Sequence, residues 1–216
     1  MISILMPIYN GIEFIDESVG SILNQSYTQW ELLIGINGHP PNSDVYQIAQ
    51  KFQSDNNKIR VFDLFNLKSK VATLNELVKH CNFNYIALLD VDDIWHNDKL
   101  FIQSEFLHNY DVIGAKCIYF GDKNGFIPDI PIHDFSQADF FIGNPIINSS
   151  VIIKKELCFW IDNGIEDYDL WLRLKSQHKK FYNCHQILVK HRIHQSSAFN
   201  SKGNNLLVSD LLKKHS

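Results

Sequence analysis

The sequence predicts an α/β fold, a mostly parallel sheet flanked by helices with a mixed second half. Three observations carry this. Over the first half, short apolar runs alternate with segments whose apolar residues recur at helical spacing. Single helices separate successive strands, which implies right-handed βαβ units. The chain has 216 residues with 45% hydrophobic and 20% charged content, enough for one well-filled core.

The elements follow in order. Residues 2–6 read as a buried strand, and Phe14, Ile15, Val19, Ile22 and Leu23 then recur at helical spacing. Residues 30–36 form a second strand, stopped by the turn cluster Asn37-Gly38-His39-Pro40-Pro41. Ser43 suits a helix cap, and Val45, Ile48, Ala49 and Phe52 mark the apolar face of the helix behind it. A third strand over 59–64, a helix over 70–81 and a fourth strand over 85–89 complete the regular half. Beyond it, strands are expected over 111–119, 151–153 and 181–189, with a loop over 121–131. A helix over 168–177 carries Leu170, Trp171 and Leu174, and an amphipathic tail over 204–214 carries Leu206, Leu207, Leu211 and Leu212. There is no repeat, low-complexity run or linker. One domain over 1–216 is expected, with halves at 1–95 and 96–200 and a helical tail at 201–216.

Bulk properties exclude several function classes. The net charge is −4 and no basic block stands out, which argues against nonspecific nucleic-acid binding. Cys81, Cys117, Cys158 and Cys184 lie far apart without a Cys-x-x-Cys pair, as expected of reduced, mostly buried thiols in the cytoplasm. The first residues are strand-like and lack a signal-peptide pattern, and no apolar stretch is long enough to span a bilayer. A cytoplasmic protein is expected, with membrane contact left open only at its periphery.

The most informative segment is Leu88-Leu89-Asp90-Val91-Asp92-Asp93. A hydrophobic strand ends there in three acids. Ligands of open α/β sheets bind beyond the carboxyl ends of strands. Acids crowded at such a point repel one another unless a cation or donor groups offset them. Mg²⁺ or Mn²⁺, hard ions with oxygen ligands, would do so while bridging to a diphosphate. A solvated turn is the plainer reading, and Asp93 also suits a helix cap. Asp90 and Asp92 are the functional candidates.

Further segments join this one in a fixed order: Ser3 to Asn10 with its Pro7-x-Tyr9-Asn10 turn, Ser21 to Tyr27, Glu166 to Leu174, and Arg192-x-His194 running on to Ser197. With this set, spread over residues 2–199, the chain resembles the family 2 glycosyltransferases, which have the GT-A (Rossmann-like) fold. The resemblance implies that Pro7 and Tyr9 line a nucleoside pocket, that Lys70 approaches the donor and that Asp90 contacts the ribose. It implies that Asp92 and His194 ligate Mn²⁺ or Mg²⁺. Arg192 would pair with the diphosphate or make a surface ion pair. Asp167 would be the general base, with Glu166 as the alternative, and Asp169 a helix-start acid.

The implied reaction is transfer of a sugar from a nucleotide-diphosphate sugar, UDP-sugar favoured, to a hydroxyl of a saccharide or glycoconjugate, with inversion. In one departure, Asn37 stands where the family often has an acid that recognises the uracil imide. Its amide still accepts a hydrogen bond there, alongside a plain Asn-Gly turn role. Asn148, Ser149 and Ser150 face the acceptor or are strand-edge polar residues. A sugar nucleotidyltransferase is the alternative, but it usually has a Gly-rich loop with a basic residue where this chain has Pro7-Ile8-Tyr9-Asn10-Gly11. An inactive nucleotide-sugar-binding module would lose the base or a metal ligand, whereas Asp92, Asp167 and His194 are all present.

Overall fold

The computed structural model describes residues 1–194 and 204–215. Strands β1 (Ile2–Ile8), β2 (Trp30–Asn37), β3 (Ile59–Leu64) and β4 (Tyr85–Leu88) alternate with helices α1 (Ile15–Leu23), α2 (Asp44–Asp55) and α3 (Lys70–His80). All four strands are parallel, with Ile2 opposite both Trp30 and Tyr85, and Leu32 opposite Ile59. β2 is buried along its whole length, as a strand covered on both faces by helices must be. Successive side chains of β1 alternate between faces. Ile4 and Met6 therefore pack with Val19 and Ile34, while Leu5 packs on the other side with Leu33, Leu74 and Ile86. A Cβ on Gly35 would lie 2.7 Å from Thr73 Cγ2, so the glycine lets α3 close onto β2. Ser43 caps α2 by accepting from Tyr46 N, and Ser69 caps α3 by accepting from Ala72 N.

The second half adds β5 (Ile94–Trp95), α4 (Lys99–Ser104), β6 (Val112–Gly121), β7 (His133–Asp134), β8 (Ile152–Lys154), α5 (Glu166–Ser176), β9 (Phe181–Ile193) and α6 (Asn204–His215). Among the described residues, the strands form one nine-stranded sheet, ordered β3-β2-β1-β4-β8-β6-β9-β5, with β7 also on β9. β8 is antiparallel to both β4 and β6, whereas β6 and β9 run parallel. The short strands β5 and β7 are antiparallel to β9. This is the mostly parallel, helix-flanked α/β arrangement of the GT-A fold.

The structure departs from the sequence expectation in the second half. β9 runs to Ile193 rather than ending at 189, because Lys190, His191 and Arg192 pair with Ile118, Tyr119 and Phe120 of β6. β5, α4 and β7 were not foreseen; each is too short to set up a period. In α6, Leu211 is buried but Leu206 and Leu207 are exposed, so its leucines do not all share one packed face. All four cysteines are free, and Cys81, Cys117 and Cys184 are buried. Among the described residues, no helix is long and apolar enough to cross a membrane.

Candidate active site

The site candidates gather at the carboxyl ends of β1, β2 and β4. Past Leu88 the chain continues beside β1, Leu89 N donating to Leu5 O, and then turns through a bond from Asp93 N to Asp90 O. That turn sends its three acids to three different partners. Asp90 Oδ1 accepts from Lys70 Nζ at 2.6 Å and Oδ2 from Asn148 Nδ2 at 3.0 Å, while its own N–H donates to Ser149 Oγ. Burial raises the Asp90 carboxyl, but the Lys70 ammonium and the Asn148 amide outweigh it and hold it below the ordinary carboxylate range. Lys70 is shifted upward in turn: burial pulls it down, and Asp90 and then Glu166 overcome that. Asn148 and Ser149, whose place the sequence left open, therefore support Asp90.

Asp92 Oδ2 lies 2.9 Å from His194 Nε2, across 102 residues of sequence. Burial first, then the neighbouring Asp93 and Asp90 charges, raise the Asp92 carboxyl, with the His194 hydrogen bond opposing them. Asp93 is not a helix cap. Its fully buried side chain accepts from Arg192 N at 2.9 Å and lies 3.0 Å from His191 Nδ1, which ties the turn to β9. Arg192 realises the ion-pair alternative: Nη2 lies 3.0 Å from Glu17 Oε1, and Nε donates to Asp92 O. Its guanidinium carbon sits 4.3 Å from the ring centres of both Phe14 and Phe120. Gln195, Ser196 and Ser197 of the late segment lie outside the described residues.

At the ends of β1 and β2, Pro7 pairs in register with Gly35. Tyr9 is 55% exposed, tilted against the His39 ring at 5.5 Å, and His39 Nε2 lies 2.5 Å from Tyr9 O. Gly38 has φ +75°, and a Cβ there would come within 2.6 Å of the Tyr9 ring, so this turn needs glycine. Asn37 is 1% exposed, and its Oδ1 has no hydrogen-bond partner among the described residues. A buried acceptor left unpaired is costly, so this oxygen suits an N–H donor from a ligand.

Asp167 lies in the first turn of α5. Its Oδ1 accepts from Tyr168 N at 2.8 Å and its Oδ2 from Asn144 Nδ2 at 3.2 Å. Burial and then the Glu166 charge push its carboxyl up, with Lys70 opposing. Glu166 Oε1 is 4.0 Å from Lys70 Nζ, so Lys70 joins the start of α5 to Asp90. Asp169 is more than a helix-start acid: it is fully buried, 2.7 Å from Arg173 Nε and 3.4 Å from His215 Nε2 of α6. Sequence reasoning missed Asn144 and His191. Asn144-Pro145 signals only a turn, and His191 was visible only through the Val189, His191, Ile193 alternation of a strand that continues.

Two of these residues are of the types that ligate a divalent cation. Asp92 and His194 offer a carboxylate oxygen and an imidazole nitrogen side by side, and a positive charge would offset the crowding that raises Asp92. Asp90 is engaged by Lys70 instead. Among the described residues no group of three or more His, Cys, Asp or Glu converges on one point, so the remaining ligands would be phosphate oxygens and water.

Comparison with known proteins identifies the family and the fold. WbnJ, an O-antigen biosynthesis glycosyltransferase of Escherichia coli, is 26% identical over 215 residues, covering 91% of this chain and 81% of its own length. The Escherichia coli UDP-Glc:alpha-D-GlcNAc-diphosphoundecaprenol beta-1,3-glucosyltransferase WfgD is 27% identical over 231 residues, covering 94% of this chain and 81% of its own. Among solved structures, S. aureus TarS 1-349 in complex with UDP-GlcNAc has the same fold at a TM-score of 0.81 and 13% identity. The match covers 99% of this chain and 65% of that one. The mannosyltransferase PcManGT from Pyrobaculum calidifontis, in complex with GDP-Man and Mn²⁺, follows at 0.73 and 13%, covering 99% and 62%. The chain thus spans somewhat less than two thirds of these two solved chains. The model of glycosyl transferase family 2 matches residues 3–166, from β1 through the acid turn to the start of α5, and the chain belongs to that family.

Proposed function

We propose that this glycosyltransferase is inverting and metal-dependent, and that it moves a sugar from a UDP-sugar to a hydroxyl of a glycan or glycoconjugate. The observation that carries the proposal is the meeting of Asp92 with His194 past the end of β4, with Lys70 linking Asp90 of the same turn to Glu166, the neighbour of Asp167 at the start of α5. Asn37 Oδ1 accepts the imide N–H of uracil, with Pro7 and Tyr9 beside the base. Asp90, kept ionised by Lys70, accepts from the ribose hydroxyls, and the part-exposed Lys70 side chain faces the donor. Asp92 and His194 hold Mn²⁺ or Mg²⁺, which when bound supplies positive charge against the departing diphosphate. Arg192 holds the Asp92 backbone.

Asp167 accepts the proton of the acceptor hydroxyl as that oxygen bonds to the anomeric carbon and the bond to the diphosphate breaks. One such displacement inverts the centre and needs no covalent nucleophile. A base whose pKa is moved up toward the working pH is better matched to this task. The UDP preference draws support from the donor in WfgD's name and the UDP-GlcNAc bound to TarS. GDP-Man in PcManGT makes the nucleotide the point to test.

Calorimetry of UDP binding with and without Mn²⁺ tests the proposal. The metal should strengthen binding to the native protein, and Asp92→Asn should remove that gain together with most transfer. Unchanged metal dependence in the variant would take Asp92 out of the site.

A further inference from the structure

Asn144 stands at the exposed rim of the site on the segment between Asp139 and Ile147. Its side chain has one determined orientation. Asn144 Oδ1 accepts from Ile146 N at 3.1 Å, which leaves the amide nitrogen to donate, and it does so to Asp167 Oδ2 at 3.2 Å. The segment is pinned to α5 and β9 on both sides of Asn144. Phe140 O accepts from Tyr168 OH, and Pro145 O accepts from the buried Asn183 amide at 3.0 Å. Asp167 Oδ1 is already bonded to Tyr168 N. The two donors together fix the plane of the carboxylate and leave its remaining lone pairs to the acceptor.

We propose that Asn144 is the positioning residue for the base, orienting Asp167 through its amide N–H so that a carboxylate oxygen meets the acceptor hydroxyl. This rests on Asp167 being the base. The charged groups facing Asp167 are Glu166 on α5 and Lys70 on α3, with Asp90 on the far side of Lys70. Asn144 is the neutral member of this set, and its N–H bonds more strongly to the ionised carboxylate than to the protonated one. A donor to the ionised form lowers the pH at which the base becomes competent.

Asn144→Asp and Asn144→Ala, read together, separate positioning from structure. Asn144→Asp keeps the oxygen that Ile146 N needs but sets an acceptor, and a like charge, against Asp167. The acid limb of kcat/KM should move up by about one pH unit, roughly a tenfold rate loss below the midpoint, with UDP affinity and melting temperature near native. Asn144→Ala, which loses the donor and the turn bond together, should shift the limb the same way with a smaller displacement. If Asn144 serves only the turn, Asn144→Ala will melt lower and keep the native pH profile; that result overturns the proposal. Asp167→Asn is measured in parallel. A native rate there sinks the base assignment itself, whereas its loss beside an unmoved Asn144→Ala profile sinks only the role of Asn144.

Discussion

Asp90 and Asp167 have both Lys70 and a carboxylate neighbour close by, yet their pKa values move in opposite directions. Asp90 takes the ammonium at 2.6 Å and moves down. Asp167, beside Glu166 and farther from Lys70, moves up. Separated carboxylates of this kind divide labour between a permanent anion and a proton acceptor. Asp167→Asn should therefore lower transfer by roughly 10²–10⁴-fold, the usual cost of losing a general base, with UDP and Mn²⁺ affinities nearly native. Glu166→Gln should cost far less, and steady-state rates beside dissociation constants compare the two. Stability should change in the opposite sense to rate. The folded protein disfavours the Asp167 charge, so the neutral amide should melt higher at pH 7. That gap should close as the pH falls through the ordinary carboxylate range, where both states protonate the native side chain. Asn37→Leu, which removes the unpaired Oδ1 at similar volume, should weaken UDP binding by about 0.5–1.5 kcal/mol, one net hydrogen bond, as read by titration. The acids and His194 were legible because their motifs are local strings. Asn144 and His191 were not, because their partners lie 23 and 98 residues away and nothing in their own neighbourhoods marks them.

Elements were legible where they were long enough to show a period. α3 and β3 fall within a residue of the expected bounds, and Ser43 caps α2 as its position suggested. The two-residue strands β5 and β7 gave no pattern, and the charged end of β9 resembled a loop. Helix α5 shows what an element contributes beyond its motif. Glu166 and Asp167 face the site from its first turn, while Asp169 points away into a fully buried contact with Arg173 one turn later and with Lys214 and His215 of α6. Arg173→Ala should leave that carboxylate with only its two longer contacts and cost about 3–5 kcal/mol, as expected when a buried pair loses one partner. Urea unfolding measures it; a loss below about 1 kcal/mol would mean that α6 alone satisfies Asp169.

The whole molecule depends on pairings that no local pattern announces. The parallel half follows from alternation, but the antiparallel insertion of β8 between β4 and β6 does not. That insertion brings the turn before β8 beside the turn after β4, and so sets Asn148 and Ser149 on Asp90. β9 then supplies the backbone and side chains that hold Asp92 and Asp93. A chain cut before Phe181 should fail to bind UDP with Mn²⁺, although every acid of the turn is present in it. Calorimetry on any soluble fragment checks this, and native-like affinity would show that β9 is dispensable to the site.

The reach from Asp92 to His194 has a consequence for the order of events during synthesis. A ribosome delivers the chain from its N-terminus, and 102 residues separate the two partners. The nucleotide-facing strands are made early, and the last side chain of the pair emerges only after β9. Through that interval the buried position of Asp93 lacks its partners from β9, and the acid turn is held on its Asp90 side alone. If the pair holds the metal as proposed, a nascent chain should not turn over sugar nucleotides before β9 has been made.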